Sequence, residues 1–507
     1  MFPATQAPFH RFIAVGALAA ISGALAIVAL GGQGLQPDRP PNIILIVADD
    51  LGYGELGSYG QTKIRTPRLD RMAAEGMRFT DHYSGSPVCA PSRGTLLTGL
   101  HTGHAYIRNN DEMGSRGDVW NDLSLEGQRP LLPDTATIGT VLQKAGYVTA
   151  AMGKWGLGGP GSTGEPGRQG FNHFFGYLCQ RIAHTYYPPW LWRNTEKVLL
   201  DNEHFLPHEQ LPADADPNDP SLYTRFTGKQ YSHDLIVDEA LGFVRANRDQ
   251  PFFLYLPFTI PHVALQVPED SLSEYDGAFP ETPYTGTRAT GTSYLPHRTP
   301  HAAYAAMITR MDRDIGRITD LLVELGLDED TVVFFTSDNG PSWVGGADPD
   351  FFESRGGLRG RKAQVYEGGI RVPLIARWPG RIRAGSVSDL PSAFWDYMPT
   401  LAELGGASAP ADIDGLSFVP TLLGRDLDQR RHDYLYWEYS GWQVVRLGDW
   451  KGVKPANSDA IELYHLERDM AETTDVASTE PAIVERIGEI MVTGRTESEL
   501  FPLRRRR

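Results

Sequence analysis

The chain has 507 residues, and its 47 Lys and Arg against 63 Asp and Glu give a formal net charge of −16. Such an acidic balance argues against a nucleic-acid partner, because binding to phosphates needs clustered basic charge. Hydrophobic residues make up 41% of the chain and charged residues 22%, which is typical of a globular protein and excludes a largely disordered or fibrous one. The 2 cysteines are too few for a disulfide scaffold.

The N-terminal segment differs from the rest of the chain. His10 and Arg11 precede an apolar run over 12–30, which is followed by a glycine-rich and then a proline-rich stretch. This layout predicts a signal peptide and linker over residues 1–40, and hence an exported protein of the periplasm or the extracellular space. The apolar run is also near the length that spans a bilayer, so an uncleaved N-terminal membrane anchor is the alternative. No second such run follows, and we expect no stable membrane insertion after the signal is cleaved.

From residue 41 onward, strand-like and helix-like patterns alternate. The segments 42–48 and 331–336 are continuous apolar runs rich in β-branched residues, which indicates strands buried on both faces. Further helices and strands are predicted at 135–145, 147–152, 302–325, 372–377 and 394–404. The alternation indicates an α/β fold, with a large mainly parallel sheet flanked by helices over residues 41–424.

The pattern changes near residue 425. Short strands are predicted at 434–439, 443–447 and 450–453, and a terminal helix near 482–494. We therefore expect a smaller C-terminal α+β domain over residues 425–507.

Polar residues follow the two buried strands at their carboxyl ends. Asp49 and Asp50 come directly after the first strand, and Asp338 and Asn339 follow the second. Ligands of open parallel sheets bind beyond these strand ends. Because the four residues offer only oxygen, they suit a hard divalent cation such as Ca²⁺ or Mg²⁺ rather than zinc. Each pair alone is equally well explained as a turn former or a helix cap.

A third element is the run Cys89-Ala-Pro-Ser-Arg-Gly-Thr-Leu-Leu-Thr-Gly99. Pro91 fits the first turn of a helix, which predicts that Cys89 lies at a helix N-terminus, where backbone N–H groups favour anions and would depress the thiol pKa. Arg93 adds a fork of donors suited to a tetrahedral oxyanion. A lone cysteine is better explained as a small residue that caps a helix, but that role does not account for the whole run.

This run resembles the maturation signal of the formylglycine-dependent, arylsulfatase-like sulfatases of the alkaline phosphatase superfamily. In that family, Cys-x-Pro-Ser-Arg followed by Leu-Thr-Gly directs the oxidation of the cysteine to formylglycine. Further segments similar to the family are 41–54, 153–155, 261–262, 337–340, 358–362, 367–373, 448–451 and 462–466. The resemblance implies an alkaline phosphatase-like fold, a sulfuric ester hydrolase activity, and a formylglycine-generating maturation enzyme as a partner.

The resemblance also implies a role for each matching residue. One divalent cation, Ca²⁺ in the first place and Mg²⁺ in the second, is held by the four oxygen ligands and by modified residue 89: Asp49, Asp50, Cys89, Asp338 and Asn339. The remaining residues act on the substrate and on the aldehyde: Arg93 steadies the hydrated aldehyde, Lys154 and Lys362 neutralise the sulfate oxygens, and His262 protonates the departing alkoxide.

The family chemistry implied for residue 89 is covalent catalysis with metal assistance. One hydroxyl of the hydrated aldehyde attacks sulfur and becomes sulfated while the alcohol leaves. The second hydroxyl then loses its proton, and collapse to the aldehyde expels sulfate.

The chain departs from the family pattern at one position. The family usually has Lys-Trp-His where this chain has Lys154, Trp155 and Gly156, so the imidazole that commonly helps formylglycine lose its proton is missing. Our hypothesis is that His184, in a polar and aromatic loop, enters the space that the glycine leaves. The alternative is a purely structural His184.

The sequence indicates the identity of the substrate less clearly than it indicates the type of reaction. Two predicted long loops, 201–220 and 275–300, and the aromatic residues near 186–192 offer groups that bind sugar hydroxyls and stack on rings, although they equally fit variable surface loops. We expect a sulfated carbohydrate first and a small aryl sulfate second. The alternatives are a phosphoester or phosphonate hydrolase on the same scaffold, and a non-catalytic sulfoglycan-binding protein. The arginines 504–507 fit a solvated tail or a polyanion contact.

Overall fold

A ten-stranded mixed β-sheet forms the centre of the fold in the computed structural model, in which residues 39–111, 128–286 and 293–503 are described. The strands of all three sheets, in chain order, are β1 (Asn42–Ala48), β2 (Met77–Phe79), β3 (His82–Tyr83), β4 (Val148–Lys154), β5 (His173–Tyr177), β6 (Trp190–Arg193), β7 (Glu196–Leu199), β8 (Phe252–Pro257), β9 (Thr331–Ser337), β10 (Leu374–Arg377), β11 (Ser386–Ser388), β12 (Ser392–Ala393), β13 (Leu435–Tyr439), β14 (Trp442–Leu447), β15 (Trp450–Lys454) and β16 (Glu462–His465). The large sheet has the order β11-β2-β10-β9-β1-β8-β4-β5-β6-β7, and β3 pairs with β12 separately.

Helices cover both faces of the large sheet. The α-helices of the described residues, in chain order, are α1 (Pro67–Glu75), α2 (Cys89–Thr98), α3 (Ile138–Lys144), α4 (Ser232–Ala246), α5 (Glu269–Leu272), α6 (Pro300–Glu324), α7 (Glu367–Ile370), α8 (Tyr397–Leu404), α9 (Val419–Leu422) and α10 (Pro481–Thr493). Apolar residues of α1, α4 and α6 pack on one face, and those of α2, α3, α8 and α9 pack on the other.

The central strand β1 shows why its sequence is apolar throughout. Ile44 and Ile46 belong to the hydrophobic core beneath one face of the sheet, whereas Ile43, Leu45 and Val47 belong to the core beneath the other. Successive side chains of a strand point to opposite faces, so a strand covered on both faces needs an apolar residue at every position. The prediction of a strand buried on both faces is confirmed.

The sheet is mostly parallel, as predicted. Strands β9, β1, β8, β4 and β5 run parallel to one another. The segment predicted at 372–377 is strand β10, but it runs antiparallel to β9 and to β2. Strands β6 and β7 are antiparallel because only Asn194 and Thr195 join them, and a two-residue turn can connect only antiparallel strands.

The C-terminal part of the chain forms a second, antiparallel sheet of four strands in the order β13-β14-β15-β16. Helix α10 packs on one face of this sheet through Ile487, Ile490 and Met491. The other face meets Tyr83 and Trp395 of the main part of the fold. A smaller C-terminal α+β domain is therefore present, while its exact boundary between residues 424 and 425 stays a prediction.

Two predictions concern segments outside the described residues. The expected signal peptide falls almost wholly within 1–38, and the arginine tail is 504–507. Across the described ranges, no helix combines the length and the apolar character needed to cross a bilayer.

Candidate active site

The four predicted oxygen ligands meet at the carboxyl ends of β1 and β9. These strands pair in register, with Ala48 opposite Ser337, so the residues that follow each strand lie side by side. The backbone N–H of Asp50 donates to Oδ1 of Asp338 at 3.1 Å, and Nδ2 of Asn339 donates to Oδ1 of Asp50 at 2.7 Å. The side chains brought together, all with no exposed surface, are Asp49, Asp50, Asp338 and Asn339.

Each carboxylate at these strand ends has a cationic neighbour. Nζ of Lys154, at the end of β4, lies 2.5 Å from Oδ2 of Asp49. Nζ of Lys362 lies 2.7 Å from Oδ2 of Asp50. Arg93, on α2, donates from Nε and Nη2 to Oδ2 of Asp338 at 3.0 and 2.9 Å. The structure therefore brings these three cations together at one site, and their roles toward the sulfate and the aldehyde stay predictions.

The oxygen cluster has the chemistry of a cation site. Burial and repulsion from Asp49 raise the pKa of Asp338 to about 7. Oδ1 of Asn339 is buried and has no hydrogen-bond partner among the residues that the structure describes. Three crowded carboxylates and an unpaired amide oxygen, with no exposed surface, fit a hard divalent cation bound through oxygen. The ligand atoms of Asp49 and Asp50 lie within 4.8 Å of Sγ of Cys89.

Cys89 is the first residue of α2, as predicted from Pro91. Its Sγ lies 3.3 Å from Oδ1 of Asp49, and its side chain is buried. Burial raises the pKa of the thiol, and the Asp49 carboxylate raises it further. The predicted depression of this pKa is wrong, because loss of solvent and a neighbouring negative charge outweigh the helix N-terminus. Unmodified Cys89 is thus a protonated thiol and a poor nucleophile.

A cavity of about 200 Å³ lies above residue 89. Its lining includes the predicted catalytic residues Cys89, Lys154, His184, His262 and Lys362. Arg93 lies beneath the cavity, where Nη1 donates to the backbone oxygen of Lys154 at 2.6 Å. The structure therefore gathers all six predicted catalytic residues around one space, although their individual roles stay predictions.

His262 stands at the edge of the oxygen cluster. Its Nε2 lies 3.7 Å from Oδ2 of Asp50, and its Nδ1 donates to the backbone oxygen of Val263. Burial, together with the positive charges of Lys362 and Lys154, holds the pKa of His262 well below its usual value. Its ring is therefore neutral, with the Nε2 lone pair available.

His184 enters the cavity from the loop that precedes β6. Its ring stacks on that of His262, with centroids 4.9 Å apart and planes inclined by 14°. Its Nδ1 lies 3.4 Å from Nε2 of His208, which belongs to the predicted loop over 201–220. Burial, then the neighbouring rings of His262 and His208, hold the pKa of His184 well below its usual value. The neutral ring reaches the cavity, but the hypothesis that it enters the space left by Gly156 is wrong, because the atoms next to that space belong to Gln180. Any catalytic role of His184 stays a prediction.

The space beside Gly156 is taken by Gln180, which the sequence analysis missed. A β-carbon built at position 156 would lie 3.4 Å from Oε1 of Gln180. Four further missed residues line the cavity: Asn110, Asp111, Arg181 and Tyr294. Tyr294 comes from the loop predicted at 275–300, and Oδ1 of Asn110 accepts a hydrogen bond from the N–H of Ala90 at 3.0 Å. No local motif marks these residues, and only the departure at Gly156 indicated that something must replace the imidazole.

Comparison with known proteins agrees with this geometry. The family model described as sulfatase matches residues 41–407, and a model described as the C-terminal part of N-sulphoglucosamine sulphohydrolase matches 360–491. Rat (Rattus norvegicus) N-acetylgalactosamine-6-sulfatase is 31% identical, with 96% of this chain and 84% of that protein covered. Human (Homo sapiens) arylsulfatase A is 34% identical, with 82% and 75% covered.

A solved structure extends the likeness to the fold. The crystal structure of Ps i-CgsB in complex with k-i-k-neocarrahexaose has a TM-score of 0.71 and 26% identity, and the match covers 90% of this chain and 93% of that one. The chain therefore belongs to the sulfatase family and has the alkaline phosphatase-like fold. It is a sulfuric ester hydrolase, as the resemblance implied.

Proposed function

We propose that this protein is an exported, formylglycine-dependent sulfatase that uses Ca²⁺ to hydrolyse a sulfate ester of a carbohydrate. The observation that carries this proposal is the position of Cys89, whose Sγ lies 3.3 Å from Asp49 at the floor of a cavity lined by Lys154, Lys362 and His262. A protonated, buried thiol is a poor nucleophile for a substrate in this cavity. Oxidation of residue 89 to formylglycine by a maturation enzyme would provide a nucleophile at this position.

Hydrated formylglycine at residue 89 would supply two hydroxyls on one carbon, one as the nucleophile toward sulfur and one for the release of sulfate. Arg93 is held in place by its hydrogen bond to Asp338 and would steady the hydrated side chain of residue 89 from the floor of the cavity. Lys154 and Lys362 reach the cavity while each remains bonded to a carboxylate, so their positive charge is held where the sulfate oxygens would bind. His262, which lines the cavity, would act beside the leaving group, where a bound anion would favour its protonated, proton-donating form.

The cation would be held by the carboxylates of Asp49, Asp50 and Asp338 and by the unpaired Oδ1 of Asn339. When bound, it would polarise the sulfate oxygens and lower the pKa of the attacking hydroxyl. Ca²⁺ is our first choice because it accepts irregular sets of oxygens, whereas Mg²⁺ prefers an octahedral shell and keeps several waters. The complete burial of these side chains leaves little room for such waters.

The mouth of the cavity favours a sugar over an aryl or steroid leaving group. Apart from histidine rings, Tyr294 is the only aromatic side chain in its described lining. Asn110 and Asp111 instead offer amide and carboxylate groups that match hydroxyls. The likeness to a structure that holds a carrahexaose supports the same choice.

The test is a matched panel of esters, with a sulfated monosaccharide, an aryl sulfate and the corresponding phosphate and phosphonate esters. We expect kcat/KM to be highest for the sulfated sugar and to exceed that for its phosphate analogue by at least about a hundredfold. A higher value for the phosphate or phosphonate ester would overturn the choice of substrate class. Binding of sulfated glycan without release of sulfate, by protein that carries formylglycine, would favour the non-catalytic alternative.

A further inference from the structure

Gln180 carries a buried amide oxygen at the wall of the cavity. Its side chain is 6% exposed, and it lines the cavity together with Cys89 and Lys154. Oε1 of Gln180 has no hydrogen-bond partner within the described part of the chain. A buried carbonyl oxygen without a partner is unfavourable, so its presence beside a substrate cavity indicates a donor that arrives with a ligand or a modification.

Gly156 makes room for this amide. The glycine has φ +74°, and a β-carbon there would lie 3.4 Å from Oε1 and 3.7 Å from Cβ of Gln180. The N–H of Gly156 donates to the backbone oxygen of Leu178 at 3.1 Å, which keeps the two segments side by side. A β-carbon at position 156 would therefore be in van der Waals contact with Gln180, so Gln180 borders the space that a side chain at this position would enter.

Neither the ammonium groups at the cavity nor the sulfate of a substrate is suited to be the donor for Oε1. The ammonium groups of Lys154 and Lys362 are bonded to Asp49 and Asp50, on the floor of the site. The oxygens of a sulfate monoester carry no proton at neutral pH, so they cannot donate to a carbonyl oxygen. A hydroxyl on the carbon of converted residue 89 is a donor placed within the same cavity.

We propose that Oε1 of Gln180 accepts a hydrogen bond from one hydroxyl of hydrated formylglycine at residue 89 and thereby favours the hydrate over the free aldehyde. This inference rests on the proposed function. A neutral amide does not take up a proton near neutral pH, so Gln180 is a positioning residue that orients the hydroxyl, and the proton leaves to another group. The hydrogen bond changes no covalent bond.

The experiment compares wild type with Gln180→Met, which keeps the shape but removes the acceptor, and Gln180→Glu, which keeps an acceptor oxygen. The first readout is independent of turnover: the rate at which a hydrazide fluorophore labels residue 89 in the folded protein, since only the free aldehyde reacts. The second is kcat and KM on a chromogenic aryl sulfate. Gln169→Met is the matched control, because Oε1 of Gln169 is also buried and unpartnered among the described residues but lies outside the cavity lining.

We expect Gln180→Met to label several times faster than wild type and to lose about tenfold in kcat with little change in KM. Gln180→Glu should label at a rate closer to wild type, and Gln169→Met should match wild type in both readouts. Equal labelling rates and equal kcat for Gln180→Met and wild type would overturn the inference while leaving the proposed function intact. Absence of any labelling of residue 89 in wild type would overturn both.

Discussion

Sγ of Cys89 and Oδ1 of Asp49 lie 3.3 Å apart, although 40 residues separate them in the chain. Strand β1 delivers the aspartate and helix α2 delivers the cysteine, each at the end that faces the cavity. The contact therefore joins the proposed nucleophile to the proposed cation site.

Replacement of Cys89 by Ala should abolish sulfate ester hydrolysis. We expect a loss of at least roughly a thousandfold in kcat, because no other group on the cavity floor can take the place of residue 89. Steady-state kinetics with a chromogenic sulfate ester, alongside circular dichroism to verify folding, measure this. Cys179→Ala is the control: Cys179 is buried in the hydrophobic core, so the change should lower stability but keep activity within about threefold. Comparable activity in Cys89→Ala and wild type would contradict the assignment.

Removal of divalent cations should inactivate and destabilise the protein. Without a cation, the carboxylates of Asp49, Asp50 and Asp338 repel one another in a site closed to solvent. We expect dialysis against a chelator to lower Tm by several degrees and to remove activity. Added Ca²⁺ should restore both more fully than Mg²⁺. A Tm and activity that do not respond to the chelator would speak against a cation in this cluster.

Lys362→Met should weaken catalysis without unfolding the protein. The substitution removes the positive charge that Lys362 places at the cavity, so we expect kcat/KM for a sulfate ester to fall by at least about a hundredfold. Lys63→Met is the matched control, because Lys63 pairs with the exposed Glu353 and lies outside the cavity lining. Similar kcat/KM values for the two variants would show that Lys362 does not act on the substrate.

His184→Ala should lower kcat more than it changes KM, and it should alter the pH profile of kcat. The prediction follows from the stacking of His184 on His262 in a chain whose residue 156 is glycine. His173→Ala is the control, since His173 pairs with Glu239 away from the cavity. Turnover that stays unchanged at every pH would leave His184 a structural residue.

The amino-acid sequence predicted the oxygen ligands and Cys89, but it did not predict that Gln180 and Tyr294 line the cavity. Asp49 and Asp338 were predictable because each ends a strand whose apolar run is unmistakable, and Cys89 because a local run surrounds it. Gln180 and Tyr294 come to the cavity through tertiary folding, and nothing in their immediate sequence marks them. The direction of the Cys89 pKa was predicted wrongly because it depends on burial and on Asp49, neither of which the local helix signal contains.

A buried charge cluster links the start of helix α7 to strand β15 of the C-terminal sheet, and its contribution to stability should depend on pH. Oε1 of Glu367 lies 2.8 Å from Nζ of Lys451 on β15, and Oε2 lies 2.7 Å from Nε of Arg371. Burial alone would raise the pKa of Glu367, but Lys451 and Arg371 lower it from 4.5 to about 2. The ionised carboxylate therefore stabilises the fold fully above about pH 4.5, and this contribution is lost as the pH falls toward 2.

Glu367→Gln should accordingly lower the free energy of unfolding by about 3 kcal/mol at pH 7, because it leaves Lys451 and Arg371 without their shared anion. The deficit should shrink as the pH falls below 4.5. Urea unfolding of wild type, Glu367→Gln and the exposed control Glu353→Gln across this range measures it. A deficit that does not vary with pH would contradict the ionic origin of the stabilisation.

The most direct test of the account is peptide mass spectrometry across Cys89, on protein produced where the maturation machinery is present. We expect the peptide to carry the aldehyde of formylglycine or its hydrate in place of the thiol. A peptide that carries only unmodified cysteine, in protein that hydrolyses a sulfate ester at full rate, would contradict it.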